Sequence, residues 1–459
     1  MRMVETPPGK HIVYFEVLEA LDSPGCPVCR LGLRAVSRHL DALSYEGVND
    51  PRARAELRAA RGFCRQHAWQ FAEEVRDGLG TAIIYRDVAG ELLRVLLGGA
   101  DRDLRPRTSP ALLASRLAQQ QECPACRLLD QSSRRYLDTL AGHLGDEAFR
   151  RRYLASGGLC LPHLTMALER VATRPERGLL AEAFVARVAS LAVEDDAASL
   201  VEAMVGKEGA VRMGRPAAPL AEQEGARGGQ ELFGDREESS QGQCAVCWAV
   251  GRGIDGWLRR WAAAWPEAGA QEGDGPAWPA LCNRHLWRLL RVAGASAALP
   301  SLRGQAQSLA RALHPRSLQA GRAERWRGLL ASLRRAMAAK GGGAVGRALG
   351  ANYCPACAME AALERRAALA VVAGDGRVAA PEVGKALCVP HLRLALGLAT
   401  TPAQAELLAL REVEALRALG CELSEYIRKQ DYRFRHEPLG AEVDAPWRAI
   451  AQVAGARWP

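Results

Sequence analysis

The sequence predicts an all-α protein built of tandem helical units, and two observations support this fold class. The first is the composition. Ala, Leu and Arg are abundant among the 459 residues, whereas isoleucine occurs only six times and threonine eight times. Abundant helix formers with few β-branched residues favour helices over strands. The second observation is an internal repeat, because one pattern of cysteine and histidine occurs four times along the chain.

Each copy of the pattern is a Cys-x-x-Cys pair followed by a Cys-x-x-His pair. The four copies are Cys26, Cys29, Cys64 and His67; Cys123, Cys126, Cys160 and His163; Cys244, Cys247, Cys282 and His285; and Cys354, Cys357, Cys388 and His391. Similar residues follow Cys29 and Cys126 at equal offsets, which indicates duplication. Of the thirteen cysteines only Cys421 is left over, and we expect it to be a small buried residue on an apolar helix face.

The four copies pair into two larger units. The residues after His163 resemble those after His391, whereas Trp69 and Trp287 follow the first and third copies. The predicted organisation is a first unit at 1–205 with modules 26–67 and 123–163, a flexible linker at 206–242, a second unit at 243–430 with modules 244–285 and 354–391, and a C-terminal tail at 431–459. The linker is rich in Gly, Glu, Gln and Ser and has no periodicity.

Local signals place the pattern on helices. Asp50 and Pro51 predict the start of a short helix that ends at Gly62. Thr401 and Pro402, with a glutamine two residues later, predict a long helix that runs towards Lys429. Residues three apart share a helix face, so the two members of a Cys-x-x-His pair at a helix start can bind one ion.

The ligand types predict zinc. Three thiolates and one imidazole are a common tetrahedral set for structural Zn²⁺. The simplest reading is one ion in each module, held by its four consecutive ligands, which gives four zinc ions per chain. A site closed by four protein ligands has no position for water or substrate, which favours a structural role over catalysis. In such a module the ion fixes two helix starts and the segment between them.

Three function classes follow from these features. A non-catalytic scaffold that binds a protein partner agrees with closed sites and with the lack of H-E-x-x-H, Walker A and G-x-S-x-G motifs. A redox protein is the first alternative, because iron–sulfur clusters or other metals could use the same ligands. Nucleic-acid binding is the second alternative, supported by a net charge of +9 and by basic and aromatic residues alternating from Tyr432 to His436.

The net charge of +9 gives only weak support for nucleic-acid binding. The chain has 61 basic and 52 acidic residues, and both are interspersed along it. A structural interpretation of the tail is therefore favoured, in which Tyr432 and Phe434 dock on helices while Arg433 and Arg435 meet solvent or acidic groups.

The N-terminal residues carry no recognisable secretion signal, and no apolar run reaches the ~18 residues of a membrane span. The sequence thus predicts a cytoplasmic protein with reduced thiols and no membrane partner. In that compartment many cysteines point to metal binding rather than to disulfides.

Several stretches resemble a known family. They are residues 11–31, which lead through Gly25-Cys26-Pro27-Val28-Cys29, then residues 45–51, residues 62–69 and the tail segment Asp431-Tyr432-Arg433. These stretches are similar to an uncharacterised bacterial family known only as a domain of unknown function. The resemblance covers residues 1–205 well and 350–450 moderately, and the third module departs most from it. It implies a bacterial source and supports the repeat unit, but it implies no activity.

Overall fold

The computed structural model describes residues 11–98, 109–171, 173–194, 196–207, 244–268, 281–313, 354–374 and 386–457. Within these ranges the secondary structure is helical and contains no strand, which confirms the all-α prediction. None of the described helices combines the length and the apolar character that crossing a lipid bilayer requires.

Eleven α-helices lie before the predicted linker in the described part of the chain. They are α1 (Ile12–Leu21), α2 (Pro27–Ala42), α3 (Pro51–Ala59), α4 (Arg65–Gln70), α5 (Gly78–Leu96), α6 (Pro110–Arg116), α7 (Pro124–His143), α8 (Glu147–Ala155), α9 (Leu161–Arg170), α10 (Arg174–Val193) and α11 (Ala197–Val205). Short π-helical turns extend α2 at Leu43–Gly47 and α4 at Phe71–Val75.

Seven α-helices follow the linker in the described residues. They are α12 (Ala245–Ala268), α13 (Asn283–Ala293), α14 (Ala295–Leu313), α15 (Pro355–Ala373), α16 (Val389–Leu398), α17 (Pro402–Lys429) and α18 (Ala445–Ala454), with a 3-10 turn at Ala441–Asp444 before α18. The predicted linker lies largely outside the described residues, which resume at Cys244.

The local start and stop signals are confirmed. Asp50 caps α3 by accepting a hydrogen bond from the Arg52 amide, and Gly62 adopts a φ of +83° just beyond the helix. Thr401 and Gln404 form a reciprocal capping box at the start of α17, which runs to Lys429 as predicted. These signals act within a few residues, which is why the sequence is sufficient to read them.

The described residues form two compact units, and each unit takes segments from both halves of the sequence. Unit 1 comprises the described residues of Met1–Arg38, Arg127–Ala210 and Ile254–Ala361. Unit 2 comprises those of His39–Cys126, Val211–Gly253 and Ala362–Pro459. The compact units therefore do not follow the predicted boundaries 1–205, 243–430 and 431–459.

The same packing occurs inside each unit. In unit 1, α10 and α11 from the first half of the sequence pack against α14 from the second half, and α11 also contacts α13. In unit 2, α17 and α18 from the second half pack against α5 from the first half, and α18 contacts α4. Each unit thus joins the early helices of one half to the late helices of the other.

These contacts form the apolar cores of the units. On α10, Leu180 and Phe184 are buried in unit 1, as is Leu302 on α14. In unit 2, Tyr85 on α5 and Leu416 on α17 are inaccessible to solvent. A buried side chain of this size contributes about 1.5–3 kcal/mol through removal of apolar surface from water. The exchange of helices between the halves is therefore part of the core of each unit.

Candidate metal centres

All sixteen predicted ligand residues lie in four groups of four, but the groups differ from the predicted modules. Centre A consists of Cys26, Cys29, Cys160 and His163; centre B of Cys64, His67, Cys123 and Cys126; centre C of Cys244, Cys247, Cys388 and His391; and centre D of Cys282, His285, Cys354 and Cys357. The prediction that each centre uses four consecutive ligands is wrong. In each half of the sequence, the first Cys-x-x-Cys pair groups with the second Cys-x-x-His pair, and the second Cys-x-x-Cys pair groups with the first Cys-x-x-His pair.

The exchange follows the division of the chain into two compact units. Cys26, Cys29, Cys160 and His163 all belong to unit 1. Cys64, His67, Cys123 and Cys126 all belong to unit 2. The first copy of the pattern is thus divided between the units, and Cys64 joins Cys123 and Cys126 instead of Cys29.

Every centre lies at the N-termini of two helices. The ligand cysteine of each Cys-x-x-His pair precedes its helix in extended backbone conformation, and the histidine falls in the first turn, as at Cys160 and His163. The first cysteine of each Cys-x-x-Cys pair precedes another helix, and the Cys26 carbonyl accepts the first helical hydrogen bond of α2. Unpaired amides and helix dipoles at these N-termini favour negative charge. Such a position suits thiolate ligands.

The ligand atoms have the spacing of a tetrahedron around one ion. In each centre all four atoms lie within 4.8 Å of one another. One sulfur–sulfur distance measures 3.7 Å in centre A, 3.6 Å in each of centres B and C, and 3.5 Å in centre D. Zinc bond lengths of 2.3 Å to sulfur and 2.0–2.1 Å to nitrogen give tetrahedron edges of about 3.8 Å and about 3.6 Å. The distances from sulfur to histidine Nδ1 range from 3.1 to 3.7 Å, which includes the value of about 3.6 Å expected between a sulfur and a nitrogen ligand.

The same distances exclude disulfides between these thiols. A disulfide needs a sulfur–sulfur bond of about 2.05 Å, and all thirteen cysteines are free. Each of the four centres could hold a metal ion.

Centre B stabilises a charged thiolate. Hydrogen bonds from Cys123 and Cys126 hold the pKa of Cys64 well below its ordinary value. Burial disfavours a charged His67, but the neighbouring Cys64 thiolate overcomes this effect and raises the pKa of His67 to about 10. Cysteine binds metal ions as a thiolate, so the low pKa of Cys64 suits a metal ligand.

Two glutamates that sequence reasoning missed lie behind the ligands. His285 Nε2 lies 3.4 Å from Glu360 Oε2, and Glu360 also pairs with Arg284. His391 Nε2 lies 3.6 Å from Glu364 Oε1. A carboxylate that accepts a hydrogen bond from a ligating imidazole orients the ring and increases its basicity. Glu364 has this role for His391, whose pKa it helps to raise, whereas Glu360 at 3.4 Å is in ionic contact with His285 without a hydrogen bond. Both glutamates follow Cys357 on α15, at positions three and seven residues later, so a search for acidic residues on the ligand helices could have found them.

The remaining sequence predictions have mixed outcomes. Cys421 is exposed rather than buried, because it lies on the outer face of α17.

In the tail, Phe434 lies under the Arg428 guanidinium at 4.5 Å, but Tyr432 is 82% exposed and does not dock. Arg433 forms an ion pair with Asp431 at 2.7 Å. Part of the positive charge of the tail is thus already paired, and nucleic-acid binding stays an untested prediction.

Comparison with curated proteins and with solved structures gave no significant match. Comparison with protein families gave one match, to a family of unknown function, and it covers the two Cys-x-x-Cys and two Cys-x-x-His pairs of the first half. The match confirms the resemblance over that part of the chain, whereas the resemblance of residues 350–450 stays a prediction. Residues 9–197 are thus similar to a family of unknown function (DUF6062).

Proposed function

We propose that the chain binds four zinc ions, one at each centre, and that the ions hold together a non-catalytic helical scaffold for a protein partner. The observation that carries the first part is the tetrahedral spacing of three sulfurs and one Nδ1 in all four centres. Thiolate ligands with a single imidazole are the donors that favour Zn²⁺ among the available divalent metals.

The closed ligand set supports a structural role for the ions. Four protein ligands complete a tetrahedral zinc site, so a bound ion has no open position for water or substrate. At centre A all four ligands are buried, which further limits access. Each ion joins two helix N-termini, and in this way it fixes the start of a long helix to the start of another.

Metal analysis tests the first part of the proposal. Protein produced with sufficient zinc and freed of loosely bound metal should contain about four zinc ions per chain. The spectrum should lack the charge-transfer absorption near 400 nm that iron–sulfur clusters give. Two or fewer ions per chain, with the remaining thiols free to react, would contradict the proposal. A coloured protein that contains iron would favour the redox alternative.

The scaffold part is supported by apolar side chains exposed on α1. Ile12 is 76% exposed and Phe15 is 57% exposed, whereas Tyr14 and Val17 on the opposite side of the helix are buried. Residues three apart lie on one helix face, so Ile12 and Phe15 form one surface. Paired apolar residues on an exposed face are typical of protein-binding surfaces.

A comparison of bound proteins tests this surface. The full chain should retain a specific protein partner in extracts of its native cells, and changing Ile12 and Phe15 together to glutamate should abolish that retention. The matched control is Leu154→Glu, because Leu154 is also exposed, at 52%, but lies on α8. Equal retention by all three proteins would exclude α1 as the partner surface, provided that each still binds about four zinc ions.

A further inference from the structure

In unit 1 a glycine segment lies directly against centre A. Helix α11 ends at Val205, and the chain continues through Gly206, whose φ is +83°. The Lys207 amide donates a hydrogen bond to Cys29 Sγ at 3.5 Å. A Cβ atom on Gly206 would lie 3.4 Å from Cys160 Sγ, so the backbone itself borders the thiols. The positive φ suits glycine, since other residues are strained there.

Residues beside centre D hold the same segment. Trp287 Nε1 donates a hydrogen bond to the Gly206 carbonyl at 2.8 Å. Asn283 Nδ2 donates to the Val205 carbonyl. Asn283 directly follows the ligand Cys282, and Trp287 comes one turn later on α13. The segment that borders centre A is thus held by the helix that carries two ligands of centre D.

Unit 2 repeats this arrangement with other parts of the chain. Helix α18 ends at Ala454, and Gly455 follows with a φ of +97°. Trp69 Nε1 donates to the Gly455 carbonyl at 3.1 Å, and Arg65 Nε donates to the Ala454 carbonyl at 3.3 Å. Arg65 also reaches centre C, where its Nη2 lies 3.5 Å from Cys247 Sγ.

The two arrangements use equivalent sequence positions. Arg65 and Asn283 each follow the cysteine of a Cys-x-x-His pair, and Trp69 and Trp287 each lie five residues after that cysteine. In both units these residues bind the backbone that follows the last helix of the other half of the sequence. The recurrence explains why tryptophan follows the first and third copies of the pattern and not the second and fourth.

We propose that the two metal centres of each unit are coupled, so that centre D stabilises metal at centre A through the Gly206 segment and centre B stabilises metal at centre C through Arg65, which contacts both the Gly455 segment and Cys247. The coupling rests on the proposed binding of zinc. Three thiolates and one neutral imidazole give a zinc site a net charge of −1. The Lys207 amide in unit 1 and the Arg65 guanidinium in unit 2 offset that charge by donating to a ligand sulfur.

These hydrogen bonds determine how loss of one ion affects the second centre of the unit. Loss of the ion at centre D frees the start of α13, which carries Asn283 and Trp287. Without these donors the Gly206 segment is no longer held against centre A. Centre A then loses the hydrogen bond from Lys207 and the shielding of its thiols. In unit 2 loss of the ion at centre B frees the start of α4, which carries Arg65 and Trp69. Trp69 then no longer holds the Gly455 segment that binds Arg65, and Arg65 no longer donates to Cys247 of centre C.

Thiol labelling during chelation tests the coupling. The zinc-loaded full chain is mixed with a chelator and a thiol-alkylating reagent, and mass spectrometry follows the alkylation of each cysteine. Trp287→Phe removes the indole donor and should speed alkylation of Cys26, Cys29 and Cys160 by about fivefold, the effect of one net hydrogen bond. Centres B and C should keep the rates of the unchanged protein.

Three further variants serve as checks. Outside centre B, Trp69→Phe should speed the alkylation of Cys244, Cys247 and Cys388 only. Asn283→Ala should reproduce the effect of Trp287→Phe at centre A without removing a large side chain. Trp257→Phe is the control, because Trp257 stacks on Trp261 and takes no part in either segment. Zinc is counted first in every variant, so a protein that binds none refutes the proposed function itself.

Two outcomes would overturn the coupling in protein that binds zinc. In the first, Trp287→Phe speeds alkylation only at Cys282, Cys354 and Cys357, which would mean that each centre is independent. In the second, alkylation rises equally at all four centres, which would indicate general destabilisation rather than transmission through Gly206.

Discussion

Replacing Cys160 by serine should release the ion of centre A and expose Cys26 and Cys29, while Cys123 and Cys126 stay protected. The reason is that Cys160 shares its centre with the first Cys-x-x-Cys pair and not with the pair that precedes it in the sequence. Serine is a poor zinc ligand compared with thiolate, and three remaining ligands bind much more weakly than four. The zinc content should fall to about three ions per chain.

Alkylation of each cysteine in zinc-loaded protein measures this result. Cys421→Ser is the matched control, since Cys421 is exposed and belongs to none of the four centres. It should remove one reactive thiol and leave the zinc content unchanged. Rapid alkylation of Cys123 and Cys126 in Cys160→Ser, with Cys26 and Cys29 protected, would show that the ligands pair with their neighbours in the sequence.

Cutting the chain between the two halves should leave them associated. A protease recognition site placed between residues 208 and 243 allows the zinc-loaded protein to be cleaved into two fragments. Each compact unit contains helices from both fragments, as in the packing of α10 and α11 against α14. Separation would expose Leu180, Phe184 and Leu302 together with many other core residues. At about 1.5–3 kcal/mol for each large side chain, this cost opposes dissociation strongly.

Size-exclusion chromatography and denaturing electrophoresis measure the association. The cleaved protein should elute at the volume of the uncut protein, and the two fragments should appear only after denaturation. Removal of zinc from cleaved protein provides a second condition, in which weaker association is expected because both centres of each unit then lose their ions. Elution of zinc-loaded, cleaved protein as two separate folded fragments would show that each half forms its own unit.

The sequence alone determined the helical class, the candidate ligand residues and the local helix boundaries. The scarcity of β-branched residues and the capping residues Asp50 and Thr401 influence the backbone locally, so they predict helices without knowledge of the packing. The ligand residues could be identified because their spacing of three places each pair at one helix start, whatever the partner pair. Four copies of one pattern made chance an inadequate explanation.

Only the tertiary structure decided which pairs lie in one centre. Ligand types are identical in all four copies, so nothing in their chemistry distinguishes Cys64 from Cys160 as a partner for Cys29. The packing of the two units decides between them, because Cys29 and Cys160 belong to unit 1 whereas Cys64 belongs to unit 2. This division of the ligand pairs appears only in the folded chain.

The tertiary structure likewise decided which helices form a unit and what the two tryptophans do. The sequence showed Trp69 and Trp287 as a difference between copies, without a function. Their partners, Gly455 and Gly206, lie 386 and 81 residues away in the chain. Hydrogen bonds across such distances depend on the exchange of helices between the halves. That exchange depends on packing between whole helices that lie far apart in the sequence, and local sequence patterns do not specify it.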